Sequence, residues 1–218
     1  MPVLFEAWGY ALRHQDRFWR AVAIHAELSL LALAAAALLA IGTGILLSRH
    51  RRAAFVVVNA AAMGRTIPVL AILALLLPVL GIGFRPALVA LILIAVPPIL
   101  INTYVGLTEV DPAAIEAALG MGMASRDLLW RIELPLVAPV IFAGLRTSAV
   151  NVVASATLAT FIGAGGLGDF IQAGIALNDA AQLLVGAVPV AAGAVLVDWG
   201  FGALEHLLTP RGLRLEAA

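Results

Sequence analysis

The sequence predicts an all-α integral membrane protein of about five transmembrane helices, and three observations carry that reading. Of 218 residues, 63% are hydrophobic and only 12% charged, with a mean hydropathy of +1.06. A chain of that composition holds more apolar surface than a soluble core can enclose, so lipid must be its solvent. Apolar stretches long enough to cross a bilayer recur along it, the clearest being 28–47, which carries no charge. The main polar interruption, 111–135, is the size of a loop. Nothing marks a second domain, and 1–218 reads as a single transmembrane unit.

The elements are taken in chain order. Residues 1–23 place Phe5, Trp8, Leu12 and Trp19 at helical spacing, with Arg13, Asp16, Arg17 and Arg20 largely elsewhere. That pattern fits an amphipathic helix at the membrane surface, where Trp anchors well; the segment is too polar for a cleavable signal peptide. The first span, 28–47, ends at the basic cluster Arg49, His50, Arg51 and Arg52. The second, 53–81, is interrupted by Arg65, Pro68 and Pro78. A tight turn around Gly81 and Gly83 leads to the third, 87–101, which Asn102, Thr103 and Tyr104 are expected to end. The fourth runs over 137–161. A glycine-rich connection, 163–179, holds a short apolar helix and precedes the fifth span, 180–204.

The polar interruption has a design of its own. Asp111 can cap the first free N–H groups of a helix and Pro112 suits its first position. Gly120 and Gly122 are poor helix formers and predict a turn. Ser125 is placed to cap a second short helix, which Pro135 is expected to end. The result is a helix–turn–helix paddle outside the lipid. Within it, Glu116-Ala117-Ala118, three residues, Gly122, nine residues, Ile132, one residue and Leu134-Pro135 resemble the cytoplasmic signature of permease subunits of binding-protein-dependent ABC importers.

That resemblance implies partners rather than catalysis. The paddle would dock, through Glu116, Ala117, Ala118, Gly122, Ile132, Leu134 and Pro135, into a separate ATP-binding subunit. ATP and Mg would be bound there and no cofactor by this chain. Substrate would arrive from an extracytoplasmic binding protein and pass between this subunit and a second permease subunit by alternating access. From about 55 to 175 the chain most resembles permeases for osmoprotectants such as glycine betaine, carnitine and choline. A permease of the same architecture for methionine or another amino acid is the alternative, and a non-ABC structural membrane protein is the reading from outside the family.

Orientation comes from the arginines. With the N-terminus outside and the C-terminus in the cytoplasm, Arg49, Arg51, Arg52, Arg126, Arg131, Arg211 and Arg214 fall inside, against Arg13, Arg17, Arg20 and Arg85 outside. This agrees with the positive-inside rule and puts the paddle in the cytoplasm.

For a translocation path the best candidates are polar residues at lipid depth, which normally face protein or water. Thr147, Asn151 and Ser155 share a helix face, with Ser148 beside them and Thr157 and Thr160 extending the strip. The same groups could instead join helices by hydrogen bonds. Arg65 lies mid-stretch just before the helix-breaking Pro68, where opened backbone should line a cavity, and Asn59 could join it; a snorkelling or paired Arg65 is the plainer alternative. Asp198 is expected to be paired or interfacial. Gly186, Gly193 and Gly200 recur every seven residues and predict a packing face. Gly163, Gly165 and Gly168 match a nucleotide-binding fingerprint, but no strand precedes them, so a close-packed turn is expected instead. Zero formal net charge and the lack of a basic patch argue against nucleic acid. With no Cys, and four His without i,i+4 pairing, neither a metal site nor a catalytic triad can be assembled.

Overall fold

At membrane depth no water satisfies a free backbone N–H, so each apolar stretch must close its hydrogen bonds on itself. The computed structural model, which describes residues 2–208, is accordingly helical, and it contains no strand among those residues. In order come α1 (Pro2–Arg13), α2 (Gln15–Ser48), α3 (Arg51–Gly64), α4 (Val69–Leu80), α5 (Phe84–Thr108), α6 (Pro112–Gly120), α7 (Ser125–Leu128), a π-helical turn (Leu129–Glu133), α8 (Leu134–Ser155), a 3-10 segment (Ala156–Ile162), α9 (Gly168–Leu177) and α10 (Ala180–Leu208). Of the inside arginines, Arg211 and Arg214 lie outside the described residues, as does most of the polar C-terminal tail.

Four helical segments are long and apolar enough to cross a membrane: Gln15–Ser48, Phe84–Thr108, Ser125–Ile162 and Ala180–Leu207. A fifth candidate is the pair α3 and α4, bent by 103° at the break between them. The break falls at Arg65–Pro68 as the sequence predicts, whereas Pro78 sits inside α4 without ending it.

Contacts at the two ends of the bundle fix which way each helix runs. At one end, the Gly83 N–H donates to the Ile162 carbonyl at 2.7 Å, and Gly166 lies against His25 near the start of α2. At the other, Arg49 pairs with Glu133, and Gly106 of α5 lies against Val137 and Val140 of α8. Helices α2 and α5 therefore run parallel, with α8 antiparallel to both. The intervening α3–α4 must return from one end to the other, so the bent pair makes a fifth crossing.

Several boundaries differ from the sequence reading, each for a local reason. The surface segment 1–23 is two pieces: α1 ends at Arg13, and α2 begins at Gln15, well before residue 28. Ala7, Tyr10 and Ala11 of α1 pack with Phe170, Ala181 and Val185, while Phe5, Trp8, Leu12 and Trp19 remain exposed. Asn102, Thr103 and Tyr104 do not end the third span. Thr103 is fully buried and returns its hydroxyl to the Ile99 carbonyl at 2.7 Å, and Asn102 donates to the Val140 carbonyl at 3.1 Å. Polar side chains satisfied this way let the helix continue to Thr108.

The main core lies along α2, α5 and the C-terminal part of α8, where Ala32, Ala36, Ala40, Ala87, Ala90 and Ala95 are all fully buried. Small side chains let helix backbones approach closely, the usual basis of packing in lipid.

Candidate functional site

The paddle begins as the sequence predicts. Asp111 accepts from the Ala113 N–H at 2.9 Å and Pro112 is the first residue of α6. The chain then reverses at Gly122, whose φ of +82° is costly for any residue bearing a Cβ. The second limb departs from the expectation. Ser125 makes no side-chain cap; Ala124 stands at that position in extended conformation. Pro135 ends nothing either. It follows the π-helical turn Leu129–Glu133, near the start of α8. The helix runs from Ser125 to Ile162, so the second limb of the paddle is the foot of the fourth span rather than a separate helix.

The seven signature residues divide by environment. Glu116, Ala117, Gly122 and Pro135 are exposed, Ala118 is buried, and Ile132 and Leu134 are half-buried. Leu119 and Met121, which the sequence reading did not single out, are exposed beside Gly122, Met121 to 77%. Beneath them, Leu107, Val110, Val137 and Ile141 form a cluster against which Ile115, Leu129 and Leu134 pack, as do Ile41 and Ile45 of α2.

The polar face of α8 splits in two. Thr147 and Asn151 are exposed and Ser155 is half-buried. Ser148 is fully buried and donates to the Ala95 carbonyl of α5 at 2.8 Å, a bond that joins helices. The change to 3-10 winding at Ala156 alters the angular step per residue. The strip does not reach Thr160, which is buried and bonded to Asp169 and Gln172.

Asn59 and Arg65 are exposed, on and just after α3. Asn59 donates to the Phe55 carbonyl at 2.5 Å. Among the described residues Arg65 makes no ion pair, and no hydrogen bond joins either residue to the α8 face.

Two charge pairs within the helices escaped the sequence reading. Arg146 of α8 grips Asp198 of α10 through Nε and Nη2 at 2.6 and 2.7 Å. Of the two expectations for Asp198, paired or interfacial, the pairing is present, with Arg146 as the partner. The signal was present: Arg146 is the charge within 137–161 and Asp198 the acid within 180–204. Glu133, 3% exposed, holds Arg49. The seven-residue glycine repeat of α10 meets different neighbours along its length. Gly186 lies against Leu167 and Ile171 and Gly193 near Val153, while Gly200 meets nothing within 4 Å. The fingerprint glycines form a turn without a strand. A Cβ on Gly168 would fall 2.0 Å from the Thr157 carbonyl oxygen, so this glycine serves close packing. Among the described residues no group of three His, Asp or Glu could hold a metal.

Residues 18–209 match the family described as binding-protein-dependent transport system inner membrane component. The chain belongs to this family. The permease is 45% identical to a carnitine transport permease of Listeria monocytogenes, over 87% of each chain. It is 40% identical to a glycine betaine/carnitine/choline transport permease of Bacillus subtilis, over 87% of this chain and 88% of that one. Its fold is similar to a chain of a methionine ABC transporter in an inward-facing conformation, with a TM-score of 0.80 over 91% of this chain and 99% of that chain. At 20% identity that likeness is one of fold alone. The permease is thus an α-helical inner-membrane component of an ABC importer, the class its sequence resembles.

Proposed function

We propose that this permease forms the translocation pathway of an importer for quaternary ammonium osmoprotectants, namely glycine betaine, carnitine and choline. An extracytoplasmic binding protein delivers the substrate and a separate ATP-binding subunit drives the cycle. The single observation that carries the substrate class is identity of 40–45% over nearly nine tenths of the chain to permeases named for those compounds. The methionine alternative has only the shared fold behind it.

ATP and Mg belong on the partner subunit, and this chain performs no chemistry itself. The paddle 111–135 is its docking element: Glu116, Ala117, Leu119, Met121 and Gly122 present a small, partly apolar tip with one carboxylate. The tip sits at the same end of the bundle as Arg49, Arg51 and Arg52, which supports a cytoplasmic paddle and an outside N-terminus. The exposed Trp8 and Trp19 support an interfacial N-terminal segment. Thr147, Asn151 and Ser155 line the path. Thr147 and Asn151, exposed in one chain, are shielded from lipid when a second permease subunit faces them across a two-fold axis. Asn59 and Arg65, beside the α3–α4 break, belong to the gate.

Uptake of labelled glycine betaine, carnitine, choline and methionine, in cells with and without this gene, tests the reading. Loss of the quaternary ammonium compounds with methionine uptake intact is expected. Loss of methionine uptake alone would overturn the substrate and keep the architecture.

A further inference from the structure

The inner end of α2 is tied to the paddle by an ion pair that the signature does not include. Arg49, at the C-terminal cap of α2, reaches Glu133 with an Nη2 to Oε2 distance of 2.5 Å. The Glu133 side chain is 4% exposed and that of Arg49 49%. Glu133 closes the π-helical turn Leu129–Glu133. One π turn adds a residue without ending the helix, and so rotates the rest of that helix by about 100°. The turn thus sets where Glu133 faces. Nearby, Arg131 is engaged with Asp127 one turn earlier, at 3.4 Å.

The contacts around the pair form a chain of rigid parts. Ile115, Leu129 and Leu134 of the paddle region and Ile41 and Ile45 of α2 pack against the same cluster, Leu107, Val110, Val137 and Ile141. Just above, Gly44 of α2 lets Thr103 of α5 approach so closely that a Cβ would fall 2.7 Å from it. Displacement of the paddle therefore meets α2 at Arg49, and α2 is locked to α5 within two turns. Glu133 is buried and Arg49 half-exposed, and leaving that carboxylate alone is costly, so the joint is held closed.

We propose that Arg49 and Glu133 are positioning residues for coupling: their ion pair passes paddle movement to the α2–α5 unit. The inference rests on the importer reading above. It is tested in proteoliposomes holding the permease with its ATP-binding subunit and binding protein, with glycine betaine as the probe. Arg49→Gln and Glu133→Gln are compared with the exchanged pair R49E/E133R, and uptake is read per ATP hydrolysed. Each single variant should still co-purify with the ATP-binding subunit, while uptake per ATP falls by about tenfold. The exchanged pair should recover most of that loss. A purely structural role would lower assembly or thermal midpoint and leave the ratio of uptake to hydrolysis untouched.

An unchanged ratio in both single variants, or an exchanged pair no better than the singles, overturns the proposal. Should the Gln variants fail to assemble, Arg49→Lys, which keeps the charge and changes the reach, is read in the same way; a normal ratio supports the pair and a ratio as low as that of a Glu116 variant contradicts it. Wild-type protein without ATP-driven uptake would instead defeat the importer reading itself.

Discussion

Single residues in this permease show how a polar group at lipid depth is kept. Ser148 spends its hydroxyl on the Ala95 carbonyl, so Ser148→Ala should leave transport unchanged and cost about 0.6 kcal/mol, the usual size of such a bond between membrane helices. Reversible unfolding in detergent or bicelles measures it; a transport defect without loss of stability would return Ser148 to the path. Arg146 and Asp198 make a two-pronged bond between α8 and α10. Removing one partner leaves a charge among apolar helices, so Asp198→Leu alone should lower the thermal midpoint. Adding Arg146→Met should restore part of it, because an apolar pair packs where an orphaned ion cannot. A midpoint lower in the double variant than in the single would contradict this. Neither contact can be read from one position. Each joins residues about fifty apart in sequence, and only the packing shows which pairs meet.

At the scale of the element, patterns confined to one segment were legible. The break at Pro68, the Asp111–Pro112 helix start and the turn at Gly122 all arise from backbone chemistry within a few residues, and the structure has them. Boundaries set by tertiary contact were not. Thr103 and Asn102 look like a helix end until α2 and α8 are beside them, and Pro135 looks like a stop although the helix runs through it. The phase of the α8 strip depended on 3-10 winding that no side chain announced.

The paddle and the α8 face also carry predictions at this scale. Gly122→Ala forces a Cβ into positive φ, at a local cost of about 1 kcal/mol. It should reduce uptake per ATP while membrane insertion stays normal; unchanged transport would remove Gly122 from the docking surface. Because the chain has no native Cys, single cysteines at 147, 151 and 155 can be labelled cleanly. Thr147→Cys and Asn151→Cys should react with aqueous thiol reagents and be protected by substrate, with Ser155→Cys reacting more slowly, being half-buried. Inaccessibility at all three would sink the pathway assignment.

Over the whole molecule, the arrangement is five crossings with the two core helices parallel and the fourth continuous with the paddle. Because α8 and the second limb of the paddle are one helix, a push at the tip reaches the α8 face without passing through a loop. The bent α3–α4 crossing is the one built with a break, which suits a segment that changes shape while α2 and α5 keep theirs. Composition alone made the membrane class legible, and the signature made the family legible. The substrate was carried by likeness spread over the chain, since no aromatic cage for a quaternary ammonium is written in a sequence with four Trp and two Tyr.

The most direct measurement of the central claim is ATP hydrolysis in proteoliposomes carrying the permease and its ATP-binding subunit, with binding protein added outside. Hydrolysis and uptake together should rise when that protein is loaded with glycine betaine, carnitine or choline, and stay at the basal level with methionine. Stimulation by methionine instead, or uptake that proceeds without ATP, would contradict the account.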